Sequence, residues 1–251
     1  MIKNLLLLGC IATMIACTPT KQPTIDTTLQ SKVDSILQNK MSEINAISGQ
    51  AIVMEVQKGE IKAMVGNGKK QSSSLMRAVS IDKALDTDKV LLSDSVDTEN
   101  GVVILNGDTI LDHNWHRGGY GKLTTLQGLM VNSHIANYKN IERAFTEEQV
   151  YLDMLNKMCY GQPESIVRID DLRPAHFVTP NDSGWNNTSL AWFCIGYNQR
   201  ISPIQMLTFY NTLANNGKYS IIVSVNKIGF PASGGLMAGS IFREIVDCII
   251  K

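Results

Sequence analysis

The sequence predicts an α+β fold in which helices pack on an antiparallel sheet. Three observations carry that expectation. Apolar residues recur at helical spacing near both ends of the chain, in Leu29, Val33, Ile36, Leu37 and Ile44 and again in "GSIFREIVDCII". Two apolar-rich runs, "QAIVMEV" and "GEIKAMVG", are joined by "QKG" and read as a β-hairpin. Between that hairpin and a late strand-like run, "YSIIVSVN", the chain is mainly helical. This order, helix, hairpin, helices, strand, helix, suits helices laid on a sheet, with the first and last helices sharing one face.

The elements follow in order. The first helix is expected over about residues 28 to 46, ended by Gly49. After the hairpin, the polar loop "NGKKQSSS" leads into a helix over about 75 to 86. Residues 93 to 123 lack helical periodicity, and "GVVILNGDTILDHN" reads as a small hairpin turning at Asn106-Gly107. "TTLQGLMVNSHIANYKNI" reads as one helix entered at Thr124 or Thr125. "FTEEQVYLDMLNKM" opens on an apparent capping box, Thr146 to Gln149. "ISPIQMLTFYNTLANNGK" carries the clearest helix signals: Ser202 as cap, Pro203 in the first turn, Gln205 to complete the box, and Asn216-Gly217 as a stop.

The N-terminus reads as a targeting segment. Lys3 supplies a positive region, "LLLLGCIATMIA" an apolar one, and Cys17 follows Ala16. That pattern resembles a lipoprotein signal: cleavage before Cys17 would leave a lipidated cysteine, anchoring an exported, periplasmic protein to a membrane. The expected organisation is signal peptide 1–16, a Pro/Thr-rich tether 17–27 and a folded domain 28–251. Beyond the N-terminus no apolar run approaches the roughly 18 residues that span a bilayer. Of 251 residues 44% are hydrophobic and 18% charged, which predicts a packed core. Lys+Arg and Asp+Glu are both 23, so no basic excess calls for nucleic acid. Cys159, Cys194 and Cys248 are far apart and lack metal spacing, so they read as small buried apolar residues.

Segments along residues 28 to 251 resemble, in order, the transpeptidase domain of class B penicillin-binding proteins, relatives of the serine β-lactamases. "GQAIVMEVQKGEIKAMVG" is similar to that family's opening hairpin. "LLSDSVDTENG" and "ILDHNWHRGGYGKLTTLQGLM" are similar to the segment between its first two active-site motifs. "IGYNQRISPIQMLTFYNTLANNGK" and "SGGLMAGSIFREI" are similar to a late helix and the closing helix. The resemblance implies a serine D-alanyl-D-alanine transpeptidase fold acting in cell-wall synthesis, with the large N-terminal non-catalytic module absent. It also implies the motifs S-x-x-K, S-x-N and K-[ST]-G, and each is altered here.

On the first motif fall Ser74-Leu75-Met76-Arg77. A serine needs a base to take its proton. Lysine can serve because burial lowers its pKa, whereas arginine stays protonated. Ser74 is therefore either an acyl nucleophile with an unusual base or, with Ser72 and Ser73, a helix-capping serine. On the second motif, Asn132 replaces the serine and His134 the asparagine, with Ser133 as the unneeded middle residue. Asn132 cannot relay a proton; His134 can titrate near neutral pH and is the candidate substitute base. For the third motif, Lys218 runs almost directly into "YSIIVSVN", so the strand that borders the pocket is expected to be deleted and the sheet shortened. "KIG" at Lys227 to Gly229 matches by chance, with Ile228 in place of the hydroxyl residue.

That strand normally supplies part of the oxyanion hole, and one lost donor can cost about 100- to 1,000-fold in rate. The leading expectation is a degenerate, catalytically impaired relative that binds peptidoglycan stem peptide or β-lactam, or a cell-wall or division partner, at a membrane. The alternative is an active transpeptidase or carboxypeptidase acylated at Ser74. No cofactor is expected. Asp112, His113 and His116 have metal-like spacing, but they fall in a family loop with no metal role, so no metal is expected either.

Overall fold

A computed structural model describes residues 24–66, 75–158, 160, 175–214, 217–229 and 234–250. Cys17, Ser72, Ser73, Ser74 and Cys159, with the Asn216 of the expected helix stop, lie outside the described residues.

Helix α1 (Thr27–Glu43) is capped by Asp26, whose carboxylate accepts from Leu29 N at 3.0 Å. It leads into β1 (Ser48–Glu55) and β2 (Ile61–Gly66), the expected hairpin. The late strand β9 (Tyr219–Asn226) lies antiparallel to the other side of β1, from Ser48↔Asn226 to Glu55↔Tyr219. The sheet order is β2-β1-β9. As the central strand, β1 is covered on both faces, which is why its sequence is a continuous apolar run rather than an alternation. Ala51 and Val53 point one way, to Val33 and Leu37 of α1 and to Ile241 and Ile245 of the closing helix α8 (Gly234–Ile250). Ile52 and Met54 point the other way, into the larger core. The first and last helices therefore share one face, as their periodicity predicts. Among the described residues no strand pairs with the outer edge of β9, consistent with a shortened sheet.

The larger core is roofed by α2 (Met76–Leu85), α4 (His134–Ala144), α5 (Glu148–Lys157), α6 (Ser189–Cys194) and α7 (Pro203–Leu213). In α7 the capping box between Ser202 and Gln205 forms with Pro203 in the first turn, as the sequence predicts. The small hairpin also forms. β4 (Val102–Leu105) and β5 (Asp108–Leu111) turn at Asn106 and Gly107, both at positive φ (48° and 95°). That geometry suits the right-handed twist of a two-residue hairpin.

Three local expectations fail. Gly49 does not end the first helix: α1 closes at Ile44, Asn45 follows in the left-handed region at φ 52°, and Gly49 lies inside β1. The capping box at Thr146 to Gln149 does not form; α5 starts at Glu148 with no side-chain cap, and the Glu148 carboxylate instead accepts from Trp185 Nε1 at 2.5 Å. The single helix expected from Thr124 is two. Thr124 and Gln127 form a capping box on α3 (Thr125–Met130), the chain breaks, and α4 starts at His134. At the break Ser133 N donates to Gly128 O (2.9 Å) and Asn132 N to Leu129 O (3.2 Å), with Asn132 in the left-handed region at φ 63°. This is the Schellman closure of a helix, and Asn is the residue besides glycine that tolerates that position.

Four short strands were not legible in the sequence. β3 (Ser95–Asp97) pairs with β6 (Lys122–Thr124), and β7 (His176–Phe177) with β8 (Gln199–Arg200). The loop between β5 and β6 folds back onto residues 98–101. Gly119, at φ 74°, lies so close that a Cβ there would come 2.1 Å from the Asn100 carbonyl carbon.

Candidate functional site

The site is built where α2 meets the α3–α4 junction. Met76, Val79 and Ala84 bury one side of α2 in the core, and Tyr210 of α7 donates to Leu75 O at 2.7 Å. That places Arg77 against the junction. Its Nε donates to Asn132 Oδ1 at 2.5 Å, and its Nη1 to His134 Nε2 at 3.0 Å and Ile195 O at 3.5 Å. Three of the residues singled out in the sequence, Arg77, Asn132 and His134, thus meet in one cluster. Ser74 lies outside the described residues.

His134 is held from both sides. Its Nε2 accepts a hydrogen bond from the guanidinium, so its Nδ1 carries the ring proton and donates to Leu111 O at 3.0 Å. Burial, then the adjacent Arg77 charge, lowers its pKa from the usual histidine value. The imidazole is therefore neutral, and its one lone pair is already engaged by a cation.

What aims His134 is a residue the sequence reading passed over. Ser133 is the N-cap of α4. Its Oγ accepts from Ala136 N at 3.0 Å and donates to the carboxylate of Asp112, Oδ2, at 2.8 Å. Asp112 is fully buried, and its other oxygen accepts from Ile135 N at 3.2 Å. A carboxylate beside the first turn of α4 also complements the helix dipole. Asp112 therefore ties β5 to α4 and sets His134 beside Leu111. Ser133 is no spare middle residue. The available signal was a serine followed by the periodic run "HIANYKNI", an N-cap pattern hidden by reading one helix across it.

Asp112 is thereby committed to protein donors, and His113 Nε2 is hydrogen-bonded to Tyr120 OH at 2.8 Å. Among the described residues no three His, Cys, Asp or Glu side chains converge on a metal position. Behind the cluster, Ser80 Oγ donates to Cys194 O at 3.0 Å and Asn137 Nδ2 to the same oxygen at 2.9 Å, fixing the end of α6. Lys227, Ile228 and Gly229 follow the end of β9 rather than lying in the sheet, and Ile228 is 82% exposed.

Arg77 has burial but, among the described residues, no counter-charge. Among the described residues no carboxylate lies within ion-pair distance of it. Burial lowers its pKa, but a guanidinium starts so high that it remains a cation near neutral pH. The arrangement can hold a positive charge and offer hydrogen bonds. It cannot take a proton at position 77.

The comparisons with known proteins bear on the fold and the family. The transpeptidase domain of penicillin-binding proteins matches as a family over residues 49–230. The fold is similar to the apo transpeptidase domain of penicillin-binding protein 3 from Burkholderia pseudomallei. The TM-score is 0.66 at 22% identity, over 90% of this chain and 68% of that one. It is similar also to a peptidoglycan glycosyltransferase from Burkholderia ambifaria, with a TM-score of 0.65 at 20% identity over 88% and 71% of the two chains. Penicillin-binding protein 3 of Mycobacterium tuberculosis, complexed with aztreonam, gives 0.64 at 20% identity over 76% of this chain and 46% of that one. A search of curated proteins finds no match. With most of its length covered by the family match, and with a helix-on-sheet fold in agreement, this chain belongs to the penicillin-binding protein transpeptidase domain family.

Proposed function

We propose that this domain is a catalytically impaired member of its family that binds peptidoglycan stem peptide or a β-lactam, or a cell-wall partner, without turning it over. The observation that carries the reading is the guanidinium of Arg77. It stands where the family places its lysine and holds both residues of the altered second motif. A base must lose its proton at working pH, and arginine does not. The substitute base considered from the sequence, His134, already accepts a hydrogen bond from that cation, which works against proton abstraction. The sheet ending at β9 supports the same reading, because the family's pocket-bordering strand has no counterpart among the described residues. Export and a lipid anchor at Cys17 complete the proposal, and would keep the domain on the cell-wall side of a membrane.

The test is covalent labelling. Purified protein and its Ser74→Ala variant are incubated with a fluorescent penicillin and run on a denaturing gel. The expected outcome is no Ser74-dependent band from protein that unfolds cooperatively. A band that Ser74→Ala abolishes would overturn the proposal and make this an acylating enzyme with an unusual base. For the anchor, Cys17→Ala should release the protein from the membrane fraction; unchanged fractionation would sink that part alone.

A further inference from the structure

We propose that Arg77 is an anion site whose ligand is a carboxylate, seated against the free edge of the guanidinium beside His134. The inference deepens, and rests on, the reading that this pocket binds a ligand without being acylated.

A guanidinium has five N–H donors. In Arg77, Nε is taken by Asn132 Oδ1, and Nη1 reaches His134 Nε2 and Ile195 O. Among the described residues Nη2 has no partner. Every acceptor it has among the described residues is uncharged: an amide oxygen, a neutral imidazole nitrogen and a backbone carbonyl. The titratable groups that act on its charge are Tyr197, Cys194 and Tyr210, none of them a carboxylate. Burial pushes the Cys194 thiol and the Tyr210 phenol each up to about 12, so neither supplies an anion near neutral pH.

Other partly buried cations in this protein are arranged differently. Lys62 pairs with Glu55 and Glu60, Lys83 with Asp82 and Asp86, and Lys40 with Glu43 and Glu244. A half-buried charge left without an opposite one is costly, and an anion bound from solution removes that cost. The N–H groups left over both sit on Nη2 and point apart, so a carboxylate there accepts a charge-assisted hydrogen bond end-on rather than through the paired fork. A single cation balances a monoanion. Among the described residues the groups that act on the Arg77 charge include no second lysine or arginine to favour a dianion.

The site has a built-in reporter. His134 is faced by Arg77 from α2 and by Asp112, His113 and the Leu111 carbonyl from the β5 side. A carboxylate beside Arg77 offsets the cation that disfavours imidazolium, so binding draws a proton onto His134. Affinity for a carboxylate should therefore rise as pH falls through the histidine range.

The experiment uses the intact protein and small probes: acetate, N-acetylalanine, N-acetylalaninamide and inorganic phosphate. Each is titrated while the His134 ring is followed by NMR at several pH values, in wild type and Arg77→Gln. We expect the acid to bind about tenfold or more tighter than the amide, as a charge-assisted pair should, with the His134 midpoint moving upward on binding. Arg77→Gln should erase that preference. The acid–amide comparison needs no variant, so a folding defect in Arg77→Gln leaves the test intact. Equal response to acid and amide, or none to either, overturns the carboxylate site whatever the penicillin result. Phosphate binding tighter than acetate overturns the choice of a monoanion. Penicillin labelling at Ser74 alone would strike the underlying reading, and the two failures are thereby distinct.

Discussion

Replacing Ser133 by alanine tests whether the second-motif region is held by a cap rather than by a continuous helix. The hydroxyl does two jobs. It accepts from Ala136 N at the start of α4, and it donates to Oδ2 of fully buried Asp112. Losing an N-cap costs about 1 kcal/mol. Leaving a buried carboxylate oxygen without its donor costs about 1–3 kcal/mol. Since one side chain serves both, the two combine to about 2–4 kcal/mol rather than an open-ended sum. For a domain of this size each kcal/mol moves Tm by about 2–4 °C, so the midpoint should fall by roughly 5–15 °C. The assay is urea and thermal unfolding of wild type, Ser133→Ala and Ser133→Thr, with Ser35→Ala as control. Ser35 sits on the exposed face of α1 and donates only to Ser31 O in its own helix. Threonine keeps the cap and should recover most of the loss, and the control should stay within about 0.5 kcal/mol of wild type. If Ser133→Ala is as mild as the control, the Asp112–Ser133 link does not hold α4, and the account of how His134 is aimed is wrong.

Three further outcomes are expected. Asn132→Ala forces an alanine into the left-handed region and should cost about 1–2 kcal/mol, whereas Asn132→Gly should be nearly neutral in urea unfolding although both lose the acceptor for Arg77 Nε. Gly119→Ala would drive a Cβ into the Asn100 backbone at a positive φ; the variant should lose more than about 2 kcal/mol, and a Tm equal to wild type would refute the close approach. His134 should titrate below the usual histidine value of about 6.5, because burial and then Arg77 disfavour its charged form. A folded pKa below the unfolded one means the histidine's contribution to stability is present above the unfolded value and is lost as pH falls through the folded one. His134→Gln should flatten stability in that window, and an NMR midpoint at or above 6.5 would contradict the sign.

Much of this protein was legible in its sequence because the signals are local. Asn106-Gly107 specifies a two-residue turn through the φ values it tolerates, and Ser202, Pro203 and Gln205 specify a helix start by hydrogen bonds within one turn. Periodicity alone put α1 and α8 on one face of the sheet. The positions of Arg77, Asn132 and His134 were reached by order along the chain, and the chemistry of arginine at position 77 followed from its pKa without coordinates.

Tertiary structure decided what local signals leave open. "LMVNSHIA" is apolar enough to read as continuous helix, and only the Schellman closure at Asn132 and the partner waiting for Ser133 break it there. That partner, Asp112, lies 21 residues away in sequence, and no spacing rule links a β-strand end to a helix cap. The same holds for the Arg77 cation. The sequence shows that it is positive, but whether a carboxylate answers it depends on which chains pack around α2. Contacts between residues distant in sequence carry no periodic signature, so whether Arg77 meets a counter-charge and how His134 is aimed belong to the fold and not to any motif.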